Sequence, residues 1–132
     1  MSLYLWLALG GAIGTLGRVG VSVIAAQHWG ETFPWGTLVI NVSGSFLIGF
    51  FATLTNSDAR YPLNSTARHF VMTGVFGGFT TFSSFSLQTL NLAREGAWLR
   101  AGANSVASLV LCLVAVWLGY LAAVALNPAK HS

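Results

Sequence analysis

Long apolar stretches broken by short polar clusters organise this chain. Three runs, residues 32–57, 69–93 and 101–129, contain no Asp, Glu, Lys or Arg, and each is at least 25 residues long. A fourth stretch, residues 3–26, is equally apolar and carries a single charge, Arg18. A membrane helix needs about 20 apolar residues to cross a hydrocarbon core of about 30 Å. Each run is therefore long enough for one crossing and too short for two. The pattern predicts four helices, at residues 3–26, 35–54, 69–93 and 101–126. The connections agree: residues 27–34 are polar and end on Pro34, residues 56–67 hold Asn56, Ser57, Asp58, Pro62, Asn64 and Ser65, residues 94–100 form a tight charged link, and Asn127-Pro128 ends the last helix. Trp6, Trp35, Tyr61 and Trp98 fall near predicted span ends, where aromatic belts form. No basic region precedes the first apolar stretch, so a cleaved signal peptide is not expected there.

Composition sharpens this. Of 132 residues, 7% are charged and 55% hydrophobic, and the mean hydropathy is +0.70. A soluble domain carries about 25% charged residues. An ordinary soluble domain, a disordered chain and a nucleic-acid binder are thereby excluded. The pI near 9.6 does not restore the last, because six scattered basic residues form no stripe. The single cysteine, Cys112, excludes an internal disulfide framework and a multi-cysteine metal site. One domain, residues 1–132, is expected.

Basic residues divide almost evenly between the two sides. With four crossings, Arg60, Arg68 and Lys130 share one side and Arg94 and Arg100 the other. So small a bias barely orients a protein. Either the insertion machinery imposes one orientation, or both orientations insert and pair as an antiparallel dimer. Four helices enclose too little interior for a protected polar path, which favours association. Gly10 with Gly14 and Ser45 with Gly49 provide small-residue pairs at spacing four for close helix approach.

Polar residues inside the spans are the candidate chemistry. Thr37, Asn41 and Ser45 lie on one face of the second helix, and Asn104, Ser108 and Cys112 do the same in the fourth. Such stripes serve either as interhelical glue or as the wall of a narrow polar path. In the third helix, Gly77-Gly78 followed by Thr80 and Thr81 makes a poor continuous helix and predicts a break near the middle. Carbonyls freed at that depth must bind something or line water. A hard cation takes such oxygens, and a Gly kink bonded to nearby hydroxyls is the simpler reading. Phe82 and Phe85 share a face of the resumed helix. Their ring edges suit an anion, while lipid or core packing accounts equally for two phenylalanines. Arg18 either snorkels or sets a positive potential at a pore mouth. No carboxylate lies within a predicted span, which argues against a proton-coupled cation exporter and for an anion or neutral solute. His28, His69 and His131 lie at span ends or in the tail and pair with no nucleophile, so an enzyme is not expected.

The run Gly77-Gly78-Phe79-Thr80-Thr81-Phe82-Ser83-Ser84-Phe85-Ser86 resembles the signature of the Fluc (CrcB) family of fluoride channels. So do Gly36-Thr37-Leu38-Val39-Ile40-Asn41 and the Gly-rich first helix with Arg18. The resemblance extends over the whole chain. It implies an all-α integral membrane protein of four transmembrane helices, the third broken near its middle, assembled as an antiparallel dual-topology homodimer with two fluoride pores. It further implies a structural sodium ion held by the backbone carbonyls of Gly77 and Thr80 from both subunits. Phe82, Phe85 and Asn41 would line the pore, with Thr37, Ser84 and Ser108 on its polar track. The implied activity is passive fluoride efflux that lowers cytoplasmic fluoride, in a bacterial inner membrane, with fluoride, sodium, lipid and a second copy as partners and no nucleic acid. Asn104 stands where some members have tyrosine, Cys112 where serine occurs, and Gln88 where an acid is common. A small multidrug-type exporter and a non-transporting accessory protein are the competing readings.

Overall fold

The structure is a computed structural model that describes residues 2–127. Four spans make up the fold: α1 (Leu3–Trp29), α2 (Trp35–Leu54), a composite third span (Ser65–Arg94) and α6 (Trp98–Ala125). The third span comprises α3 (Ser65–His69), a wide π-helical stretch (Phe70–Phe76), a single turn α4 (Gly77–Phe79), an extended pair Thr80–Thr81, and α5 (Phe82–Arg94). In the π stretch hydrogen bonds reach five residues back, as when the Gly77 N–H meets the Met72 carbonyl.

The termini of these helices have local causes. The Ser2 hydroxyl accepts the Leu5 N–H at the start of α1, and Gly30, at φ 76°, ends it three residues beyond the expected Ala26. The third span begins at Ser65, four residues before the expected start. Asn64 Oδ1 caps it by accepting the Ala67 N–H at 2.8 Å. Arg68 had marked a span end, yet its guanidinium turns back to the C-terminus of α2, donating to the Ala52 carbonyl (3.1 Å) and Thr55 Oγ1 (2.8 Å). Gly96, at φ 80°, closes α5: its N–H bonds the Ala93 carbonyl and the Ala97 N–H bonds the Leu92 carbonyl. This Schellman arrangement lets α6 start at Trp98. At its far end, Asn127 Oδ1 accepts the Arg60 N–H at 2.9 Å and ties α6 to the second loop. Pro128, Lys130 and His131 lie outside the described residues.

Packing rests on small residues. The expected Gly10–Gly14 pair lies against the third span: a Cβ on Gly10 would come 2.6 Å from the Phe70 carbonyl, and one on Gly14 would overlap the Val75 carbonyl. Gly78 in turn meets the α1 backbone at Gly11. Gly49 faces the Val116 backbone and Gly119 faces Phe46, which brings α2 and α6 together along most of their length. The buried apolar core includes Ala25, Ala101, Ala115 and Ala123, whereas Leu16, Leu99 and Val106 point outward. In lipid this inversion is expected, because no hydrophobic drive separates leucine from acyl chains. Trp35, one of the aromatics expected at span ends, clusters with Trp29 and Phe33 at the α1–α2 turn, the Phe33 and Trp35 centroids 4.8 Å apart.

Candidate functional site: the broken third span

The break is made by two threonines in extended conformation, Thr80 (φ −80°, ψ 155°) and Thr81 (φ −151°, ψ 110°). Within the run Gly77-Gly78-Phe79-Thr80-Thr81 that predicts the break, the glycines remain helical and the threonines make it. β-Branched residues accept extended geometry readily. The interruption frees backbone groups that at membrane depth must find partners. Most do. Arg18 Nε donates to the Gly78 carbonyl at 3.1 Å, placing a cation at the C-terminal end of a helical segment. Asn41 makes a double contact with Thr81, accepting its N–H at 2.8 Å and donating Nδ2–H to its carbonyl at 3.0 Å. The Phe76 carbonyl accepts both the N–H and the hydroxyl of Thr80 at 3.0 Å. Thr81 Oγ1 caps α5 by accepting the Ser84 N–H at 3.2 Å. Among the described residues, no donor reaches the carbonyl oxygens of Gly77 or Thr80.

A groove of about 490 Å³ opens on this break. Its walls include Asn41, Gly77, Thr80, Phe82, Phe85 and Ser108, so six of the site residues expected from sequence converge there. Phe82 and Phe85 stand 5.3 Å apart, tilted by 54°. Phe85 is half-buried, while Phe82 is 78% exposed on the single chain. Ser45 and Cys112 also line the groove. Arg18 reaches the break from α1, on the far side of Gly78, and remains half-buried.

Thr37 and Ser84 lie elsewhere. Thr37, buried at the start of α2, lines a second cavity of about 690 Å³ at the end of the bundle closed by the first loop. Gln88, Asn91, Glu95 and Arg100 share that wall. Gln88 Oε1 is buried there without a hydrogen-bond partner. The Ser84 side chain borders neither cavity.

Three features escape the sequence. Arg18 engages the break itself, across 60 residues of sequence. Asn41 uses its amide on Thr81, leaving one Nδ2 hydrogen free. Asn104, 1% exposed, donates to Thr89 Oγ1 at 2.9 Å and accepts from Ser108, linking α6 to α5. Asn41 and Asn104 both carried a signal, as polar residues on one face of their helices, whereas the reach of Arg18 to the break had none.

The model of the family described as "CrcB-like protein, Camphor Resistance (CrcB)" matches residues 5–120. The chain belongs to the CrcB family. Its relatives match it over most of their length. The chain is 70% identical to a protein of Opitutus terrae named "Fluoride-specific ion channel FluC", with both chains covered completely. Proteins of the same name from Methylocella silvestris and Paramagnetospirillum magneticum are each 57% identical over 127 residues, which is 96% of this chain and 97% and 99% of theirs. With four helices of spanning length and composition, this CrcB protein is a multi-pass membrane protein.

Proposed function

We propose that the chain is a fluoride-selective channel that lets fluoride leave the cell passively, working as an antiparallel dual-topology homodimer in a bacterial inner membrane. The near-complete identity in length and the 70% identity in sequence to a protein named as a fluoride-specific channel carry this reading. The groove supports it. An anion leaving water loses a strong hydration shell, and the path must replace it with donors. The free Nδ2 hydrogen of Asn41, the Ser108 hydroxyl and the ring edges of Phe82 and Phe85 offer such contacts on one wall. Thr37, on the second cavity beyond the end of the groove, would continue the polar track there. Arg18 adds positive potential near the midpoint, with no carboxylate in the spans to cancel it.

The free carbonyls of Gly77 and Thr80 fit a hard cation, since oxygen donors without a competing hydrogen bond are what sodium takes. Two copies in opposite orientation would bring both pairs to the twofold axis, four carbonyls in all. When bound there, the ion supplies positive charge that holds the two breaks together. The residues themselves do the rest: Asn41 fixes Thr81, and Arg18 neutralises the adjacent Gly78 carbonyl so that it does not compete. No bond to the transported ion forms or breaks.

Purified protein in liposomes loaded with fluoride tests this reading. A fluoride electrode is expected to record rapid efflux once a potassium ionophore relieves the charge, with chloride-loaded vesicles silent. Equal release of both halides, or none, would overturn it.

A further inference from the structure

The break is held from α2 at two points three residues apart. Asn41 grips the Thr81 backbone. Gly44, buried on the same face, meets the side chain of Thr80. That side chain has no freedom left. Its Oγ1 donates to the Phe76 carbonyl at 3.0 Å, the oxygen that also accepts its own N–H. With the hydroxyl pinned, the stiff χ1 of threonine sends Cγ2 toward α2. A Cβ on Gly44 would overlap Thr80 Cγ2 and stand 3.5 Å from the Phe79 ring, and that ring lies 3.6 Å from where a Cβ would stand on Gly17 of α1. The methyl group of Thr80 thus sits on the bare Cα of Gly44, between a fixed hydroxyl on one side and a confined ring on the other.

We propose that Gly44 is a positioning residue for cation binding: its missing side chain seats the Thr80 methyl, and that seat sets where the unpaired Thr80 carbonyl stands. The inference rests on the proposed cation site at the break. Coordination is demanding of oxygen position, so a shift of the Thr80 backbone by a few tenths of an ångström weakens the site even when the fold survives. Gly44 borders the groove, and the atoms nearest to a Cβ on it belong to the side chains of Thr80 and Phe79 rather than to a carbonyl. Its effect on the cation runs entirely through Thr80.

Moving one methyl group across the contact tests this. Sodium affinity is read as the sodium concentration giving half the maximal rise in melting temperature of the detergent-solubilised protein, titrated against a large organic cation. Gly44→Ala is expected to raise that concentration about tenfold or more, because overpacking displaces Thr80. Thr80→Ser keeps the hydroxyl bond to Phe76, loses the methyl, and is expected to weaken sodium by about threefold. The double variant Gly44→Ala/Thr80→Ser restores one methyl to the contact and is expected to return to within about twofold of the parent. If Gly44→Ala alone fails to fold, a folded double variant with parental sodium affinity still carries the inference, and a double variant that also fails overturns it. A Gly44→Ala protein with parental affinity, or a double variant as weak as Gly44→Ala, also overturns it and leaves the cation site standing. A parent protein whose melting temperature ignores sodium sinks the cation site and this inference together.

Discussion

Asn41 does the work of a peptide group. Its amide completes the N–H and the C=O of Thr81 where the helix has abandoned both. An unpaired backbone group away from water costs about 1–3 kcal/mol. Asn41→Leu is therefore expected to destabilise the protein by about 2–4 kcal/mol, seen as a lowered melting temperature in detergent, and to abolish flux. Asn41→Asp keeps the acceptor for the Thr81 N–H but loses the donor and adds negative charge beside the path. It is expected to fold, and to pass fluoride at least about tenfold more slowly than the parent. Equal flux in the parent and Asn41→Asp would remove Asn41 from the pore. The rings answer to a separate test. Phe82→Ile and Phe85→Ile keep apolar bulk and lose the positive ring edge, so each is expected to lower liposome flux at least about tenfold with little change in melting temperature. Unchanged flux in both would dismiss the aromatic contacts.

At the scale of elements, glycine spacing decides how α1 lies against the third span and how α2 lies against α6. Gly14→Ala would drive a methyl into the Val75 carbonyl and the Phe79 N–H of the third span, which are backbone and cannot swing away. It is expected to cost about 3 kcal/mol, whereas Gly102→Ala, whose methyl meets nothing, stays within about 0.5 kcal/mol. Melting temperatures of the two variants check this, and equal losses would show that α1 docking tolerates a larger side chain. The four spans and the Gly10–Gly14 contact were legible in the sequence because each is a property of neighbouring residues. The break was legible in composition, because Gly77-Gly78 with Thr80 and Thr81 reads as a poor helix, and within that run it is Thr80-Thr81 that takes the extended geometry while the glycines stay helical. Arg68 misled the placement of a span end because a charge was read as a boundary. Its partner, the end of α2, is a tertiary contact. The grips of Arg18 on Gly78 and of Asn41 on Thr81 cross 60 and 40 residues. No local spacing announces such pairs.

For the whole molecule, the question is what closes the groove. On one copy Phe82 is 78% exposed, and two backbone carbonyls at the break face no donor. Unpaired carbonyls are costly inside a bilayer, and under the proposed pairing a second copy in the opposite orientation would cover them together with the Phe82 ring. The charge balance permits it: in the described residues, Arg60 and Arg68 stand at one end of the bundle and Arg94 and Arg100 at the other. Exposed loop positions provide handles. Ser57→Lys/Asp58→Lys adds two lysines to one side, and Glu31→Lys/Glu95→Lys adds two to the other. Each pair is expected to lock one orientation, which protease or thiol-labelling access at a loop tag reports, and to pass no fluoride when expressed alone. Co-expressing the two locked forms is expected to restore flux to about the parental level, because opposite orientations then meet in one membrane. A single locked form with parental flux would mean that the working assembly is not antiparallel. Silence of the mixture, with both forms folded and oppositely inserted, would place the defect in the added charges and leave the pairing unsupported.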